Sequence, residues 1–256
     1  MTLKTLGIAL DVLSKFTKQH ITWGLRELAK EMDMNHTVLY RILKTYESKG
    51  FLVQDNVTKK YELGSKMLDL LSAVQQKVNL SDFVVPIMKS LSNETNESVF
   101  LTWRDGFAGT TVEISESPQQ IKFAVSIGYQ TPLYVGASCK VIMAFLLPAE
   151  QKEIINNGTN KFTDRTLVEK EEILSSLEEI KQQGWCYSEG EFSEDVFGIG
   201  VPIFGKDEKI LGSLTIAGPI YRITPDKKSL FLDRLLKGKT EIEQSIQLLG
   251  VDDVYK

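Results

Sequence analysis

The sequence predicts an α+β protein in three parts: an N-terminal winged helix-turn-helix, a linker helix, and a larger C-terminal domain built on an antiparallel sheet. Three observations carry this reading. The stretch "ITWGLRELAKEMDMNHTVLYRILKTYESKGFLVQD", Ile21 to Asp55, holds two short helical patterns in close succession and then an apolar run behind a glycine. From Ser65 a single amphipathic stretch follows. Beyond it, strand patterns cluster at both ends of a helical middle, as in an α+β domain with an antiparallel sheet. The expected boundaries are 1–64, 65–80 and 81–256.

The first helix is marked by Leu6, Leu10, Leu13 and Phe16, with Ala9 and Val12 beside them, at the spacing of a buried stripe. Thr22 is placed to cap a second helix through Leu25, Leu28 and Ala29, ending near Met32. Asn35 is a suitable cap for a third, which would bury Val38, Leu39, Ile42, Leu43 and Tyr46 before Gly50 stops it. With so short a connection, the second and third helices must cross tightly, as in the unit that sets its second helix in the DNA major groove. The opposite face of the third helix offers Asn35, His36, Thr37, Tyr40, Arg41 and Lys44, joined by Arg26 from the second. Residues near the helix start suit base edges, and Arg41 and Lys44 suit phosphates. After Gly50, "FLVQDNVTKKYEL" reads as two strands turning at Asp55 and Asn56, a wing with Lys59 and Lys60 on the returning strand.

From Ser65, residues Met67, Leu70, Leu71, Val74 and Val78 share a helical face that can pack on the same chain or pair with a second copy. "SVFLTWRDG" and "FAGTTVEIS" read as strands turning at Asp105-Gly106, and "IKFAVSIG" as a third. "YVGASCKVIMAFL" reads as a helix ended by Pro148, and a longer helix as starting at Thr166, with Glu169 completing a capping box, and stopping at Gly184. "WCYSEGEF", "VFGIGVPIFG" and "KILGSLTIAGPI" supply further strands, and Thr224-Pro225 opens a last helix through Leu249.

Composition sets the limits. The 256 residues, 42% hydrophobic and 25% charged, are ordinary for a soluble globular protein. No run approaches the roughly 20 apolar residues of a membrane span, and the N-terminus does not read as a secretion signal. The cytoplasm is the expected compartment, with no membrane partner. Cys139 and Cys186 read as small buried apolar residues rather than as a disulfide or metal site. Charge is uneven: residues 1–64 hold ten Lys/Arg against seven Asp/Glu and both histidines, a balance of +3 that leaves −7 for the rest of a chain whose net charge is −4. A basic module on an acidic body points to a polyanionic partner for the module.

The run "TVLYRILKTYESKGFLVQDNVTKKYELGSKMLDL" resembles the DNA-binding domain of the IclR family of bacterial transcription regulators, through Arg41-Ile42-Leu43, Gly50-Phe51-Leu52 and Tyr61-Glu62-Leu63-Gly64. Likeness continues through "TPLYVGASCKVIMAFL", "YSEGEF" and "LTIAGPIYRIT". The resemblance implies a GAF-like effector-binding domain, a small effector of the organic acid or aromatic metabolite class, double-stranded operator DNA as partner, and a homodimer or dimer of dimers. Carried over residue by residue, it implies a pocket lined by Phe123, Ala137, Ser138, Ser188, Glu191, Gly198, Thr215 and Ala217. Gly198 stands where oxo-acid-binding members have cysteine, Ala217 where they have serine, Ser188 where they have aspartate, and Gly190 where they have the first of two glutamates. With polar groups removed, the pocket departs from one that desolvates a small oxo-acid.

An enzyme is weighed and set second. His20 and His36 both lie in the basic module, which leaves the larger domain without a histidine base. "GIGVP" lacks the third glycine of a dinucleotide loop, and no phosphate-loop Gly-Lys-Ser/Thr sequence occurs. Glu189 and Glu191 alternate on a turn, where carboxylates are usually exposed. No cofactor or metal is expected. The function read is a ligand-responsive transcriptional regulator, by default a repressor. An activator is the alternative within the class, and a ligand-binding or catalytic module with a protein-contacting winged helix is the alternative outside it.

Overall fold

In the computed structural model, the described residues are 3–17, 20–75, 80–206 and 208–250, with the side chains of 71–75 excluded. They divide into two compact units, Met1–Val78 and Asn79–Lys256.

In the first unit, α1 (Lys4–Ser14), α2 (Leu25–Glu31) and α3 (His36–Ser48) precede a hairpin of β1 (Leu52–Gln54) and β2 (Tyr61–Leu63) and then α4 (Lys66–Gln75). Its core gathers Val12, Phe16, Trp23, Leu28, Ala29, Leu39, Leu43, Leu52 and Tyr61. Leu39 and Leu43, one turn apart, are fully buried, as the helical spacing demands. Asn35 caps α3 by accepting from the Thr37 N–H at 2.8 Å. Gly64 is required by packing, since a Cβ there would lie 2.3 Å from the Gly50 carbonyl oxygen. The wing exit and the end of α3 thus close on each other.

The structure corrects several local expectations here. In α1 only Val12 is buried, with Ala9 and Leu13 half-buried, whereas Leu6 and Leu10 are exposed at 55% and 54%. The burial falls on the C-terminal half of the helix, where the Tyr46 hydroxyl also donates to the Ala9 carbonyl. Val38 is likewise exposed. Helix α2 is capped at Gly24, not Thr22, and the Glu27 carboxylate accepts from the Gly24 N–H at 3.2 Å. Lys59 and Lys60 precede β2 instead of lying on it. The intervening loop is folded around the Asp55 carboxylate, which accepts from Val57 N, Thr58 N and Thr58 Oγ1. Of the linker stripe, Met67 is half-buried and Leu70 exposed, while the side chains of Leu71 and Val74, and Val78 entirely, lie outside the described residues.

The second unit carries a six-stranded antiparallel sheet in the order β5-β4-β3-β8-β7-β6. Its strands are β3 (Ser98–Asp105), β4 (Ala108–Ser115), β5 (Gln130–Pro132), β6 (Cys186–Glu189), β7 (Val196–Phe204) and β8 (Ile210–Pro219). Every residue of β8 is buried and nearly every residue of β7, which is why these central strands read as continuous apolar runs. Helices α5 (Leu80–Thr95) and α9 (Pro225–Leu249) pack together and against the sheet. Helix α6 (Gly136–Ala144) packs on the sheet's other face and against α8 (Lys170–Gln183). A Cβ on Gly200 of β7 would lie 2.9 Å from the Ala137 carbonyl oxygen, so glycine there lets the start of α6 approach the sheet.

The α+β class and the last helix match the expectation, Thr224 capping α9 with Pro225 in its first turn. Four details differ. Helix α5 was not anticipated, although Leu80, Val84, Met88, Leu91 and Thr95 lie buried at helical spacing; Pro86 within it obscures the pattern. Residues 121–128 form no strand. Their alternation is real, with Ile121 and Ile127 exposed while Phe123 and Val125 turn inward, but β5 takes the pairing beside β4. Pro148 opens α7 (Pro148–Asn156) rather than ending α6, as its fixed φ permits at a first helical position. Helix α8 is capped at Glu169, and the Thr166 hydroxyl serves the loop instead, accepting from Phe162 N and Thr163 N and donating to the Glu191 carbonyl at 2.7 Å.

Candidate functional site

Two surfaces concentrate polar chemistry, one in each unit. On the first, α3 exposes Asn35, His36, Thr37, Tyr40 and Arg41, while Arg26 on α2 and Lys59 and Lys60 in the wing loop are also exposed. Lys44 is half-exposed, bound to Glu47 at 2.6 Å and Gln54 at 3.4 Å. Its ammonium is held above the ordinary lysine range, first by the Glu47 hydrogen bond. Lys60 stands 3.6 Å from Glu27. The two histidines separate in role: His36 opens α3, whereas His20 stacks on Trp23 with ring centroids 4.7 Å apart. A helix face bearing amide, imidazole, hydroxyl and guanidinium groups beside a lysine-bearing loop has the donors and acceptors to read base edges and hold phosphates.

The second surface is a cleft, partly open to solvent, between the sheet, the start of α6 and the irregular segment before β5. Of the pocket residues expected from sequence, Phe123, Ala137, Ser138, Ser188, Gly198, Thr215 and Ala217 line it. Glu191 does not. It is buried, against the expectation of an exposed turn carboxylate, with one oxygen 2.6 Å from Lys140 Nζ and the other accepting from the Gly136 N–H at 3.2 Å. Thr163 and Thr166 fix this loop by donating to the Gly190 and Glu191 carbonyl oxygens. Lys140 also donates to Ser176 Oγ and is 3% exposed.

Sequence reading missed Lys140 and the rings around Phe123. A lone lysine in the otherwise apolar "GASCKVIMA" was the available signal, because a charge on an all-apolar helix must be paired when buried. Phe123 meets Phe100 and Phe192 edge to face at 5.6 and 5.9 Å, and Tyr129 meets Phe192 at 5.8 Å. The Ser98 hydroxyl donates to the Phe123 carbonyl at 2.9 Å and pins that segment. Cys139 and Cys186 are buried as expected, and burial pushes both thiols up to about 12, far from reactive thiolates. Among the described residues no group of three or more His, Cys, Asp or Glu could hold a metal ion, and no helix is long and apolar enough to cross a membrane.

A winged helix-turn-helix joined in one chain to a domain that walls a small-molecule cleft defines the class of ligand-responsive transcriptional regulators. Family comparison specifies the class. Residues 5–56 match the IclR helix-turn-helix domain, and residues 72–244 match the bacterial transcriptional regulator IclR C-terminal domain. The chain belongs to the IclR family. It is 29% identical over 228 residues to the HTH-type transcriptional regulator KipR of Bacillus subtilis, covering 87% of this chain and 89% of that one. To the transcriptional repressor IclR of Escherichia coli it is 22% identical, covering 93% and 88%. Among solved structures, the Thermotoga maritima IclR is similar over 96% of this chain and 99% of its own, with a TM-score of 0.63 and 26% identity. The Agrobacterium tumefaciens repressor BlcR shares the fold with a TM-score of 0.79 at 16% identity, over 96% and 98% of the two chains.

Proposed function

We propose that this regulator is a repressor that occupies operator DNA through α3 and the wing, and that a small effector in the cleft under α6 changes its affinity for that DNA. The observation that carries the reading is the exposed face of α3, where Asn35, His36, Thr37, Tyr40 and Arg41 stand together and can reach base edges while Lys44, Lys59, Lys60 and Arg26 hold the backbone. The pocket residues are Phe123, Ala137, Ser138, Ser188, Gly198, Thr215 and Ala217, with Glu191 in a positioning role beneath the start of α6. Effector binding favours one of two arrangements, and the operator affinity changes by the difference in binding free energy.

The working species is a homodimer or a dimer of dimers acting in the cytoplasm, since two-fold proteins match palindromic operators. Exposed Leu3, Leu6 and Leu10 on and beside α1, and Leu68 and Leu70 on α4, offer apolar surface to a second copy. Repression is supported by relatives that carry the word repressor in their names, among them IclR of Escherichia coli and AllR of Salmonella paratyphi A.

The test is a fluorescence anisotropy titration against the DNA flanking the chain's own gene, at two salt concentrations, with excess unrelated DNA as competitor. Specific retention that weakens as salt rises is expected. Retention indifferent to both sequence and salt would reject operator recognition.

A further inference from the structure

The wing loop carries the most exposed large apolar side chain among the described residues. Val57 is 89% exposed and stands at the tip, between Asn56 and Thr58. A single apolar residue on a surface ordinarily needs no explanation, but this one is held outward by a loop whose own bonds turn inward. The Asp55 carboxylate accepts from Val57 N, Thr58 N and Thr58 Oγ1, and the Thr58 hydroxyl accepts from Lys60 N at 3.3 Å. Gln54 Nε2 donates to the Lys59 carbonyl at 2.9 Å, and Lys59 takes a left-handed φ of 59°, uncommon for a residue with a side chain. The tip is preformed, so little order has to be gained when it meets a partner.

Two features of the tip point to the same partner surface. Lys59 and Lys60 are exposed beside Val57, and cations are drawn to the minor groove where A·T pairs make it narrow and its potential most negative. The groove floor gives the second. Every base pair presents acceptors there, but only G·C adds a donor, the guanine N2 amino group. Valine has no acceptor, and the neighbouring Thr58 hydroxyl is already engaged by Asp55 and Lys60 N. Pressed onto a G·C pair, Val57 would cover the amino group and leave it with neither water nor partner, which is costly. An A·T pair carries no such donor, and apolar side chains are common wedges in that groove.

Resting on the reading of α3 and the wing as the DNA-binding surface, we propose that Val57 is a specificity-determining residue that selects A·T over G·C where the wing tip enters the minor groove. It does so by excluding the guanine amino group and makes no hydrogen bond of its own to the base. The preference therefore follows one amino group, not the identity of the base pair.

The experiment starts from a duplex selected by the full chain out of a random library. Each base pair is replaced in turn by A·T, diaminopurine·T, G·C and inosine·C, and affinity is read by fluorescence anisotropy at fixed salt. Diaminopurine adds the minor-groove amino group to an A·T-like pair, and inosine removes it from a G·C-like one. At pairs flanking those read by α3, G·C and diaminopurine·T should bind about tenfold more weakly than A·T and inosine·C. Val57→Ala, which withdraws the side chain, and Val57→Asn, which supplies an acceptor, should each bring that ratio down to about twofold or less. Thermal unfolding and the preferences at pairs read by α3 should stay at the parent values. A ratio undiminished in both Val57 variants would overturn the residue and give the preference to groove shape. Flanking pairs that ignore the amino group would overturn the minor-groove reading, and a preference for G·C lost in Asn56→Ala would transfer the tip to Asn56. A library from which no sequence is enriched would instead reject operator recognition, and Val57 with it.

Discussion

The two units contain the same ion pair in opposite surroundings. Lys44 and Glu47 on α3 stand 2.6 Å apart with side chains 40% and 30% exposed, and Lys140 and Glu191 stand 2.6 Å apart with side chains 4% and 11% exposed. Equal lengths do not mean equal roles. The first pair is solvated and screened, so Lys44 can exchange Glu47 for a phosphate oxygen at little loss. In the second, separating the partners would strand a charge away from water. The DNA-facing unit therefore keeps its charges free to move to a ligand, while the sheet domain uses one fixed pair to hold the start of α6 against the cleft.

Breaking the buried pair should produce the largest effect. Lys140→Met leaves the Glu191 carboxylate buried without its cation and should destabilise the second unit by about 3–5 kcal/mol, measured by urea unfolding. Removing both charges, as in Lys140→Met with Glu191→Leu, should restore much of that loss, because the penalty belongs to the unpaired charge. Lys44→Met should scarcely move the urea midpoint. Similar small shifts for both lysines would show that Lys140 is better hydrated than its burial indicates and would break the contrast.

The DNA-facing half of the comparison is sharpened by replacing Arg41 and Lys44 together with alanine. Operator affinity should fall about tenfold, and the slope of log affinity against log salt should become shallower by about 2 if each cation meets one phosphate. Urea unfolding should remain near the parent, since both side chains reach outward from a helix whose core contacts are made by Leu39 and Leu43. Lost affinity with an unchanged salt slope would take both residues off the phosphates.

What could be read from sequence followed the same divide between exposed and buried chemistry. The α3 cap at Asn35, the stop at Gly50 and the polar face between them depend on neighbours within one helix, so local pattern sufficed. The strands β7 and β8 were legible because burial on both faces writes an unbroken apolar run. Residues 121–128 misled because alternation reports two-sidedness, not pairing; whether a strand forms is decided by which segment reaches the free edge of β4. Glu191 was misplaced for a related reason. Its burial depends on Lys140, 51 positions away, and on two threonine hydroxyls from a separate loop, none of which leaves a periodic trace around "SEGEF". The family resemblance located the cleft, but the pairing beneath it required three-dimensional contacts.

The smallest effect concerns a carboxylate that stays in water yet is well bonded. Asp55 organises the wing loop by accepting from Thr58 N, Thr58 Oγ1 and Val57 N. These bonds, the Thr58 backbone N–H first, hold its carboxyl below the ordinary aspartate range. With the folded value depressed, the stabilisation is full above the unfolded value of about 4 and is lost as pH falls through the lower folded value. The amide resonances of Val57 and Thr58, followed by NMR against pH, should therefore hold their neutral-pH positions down to about pH 4 and shift only below it. A midpoint at or above the ordinary aspartate value would mean that the carboxylate does not organise the loop that carries Lys59 and Lys60, the two lysines proposed to meet the DNA backbone.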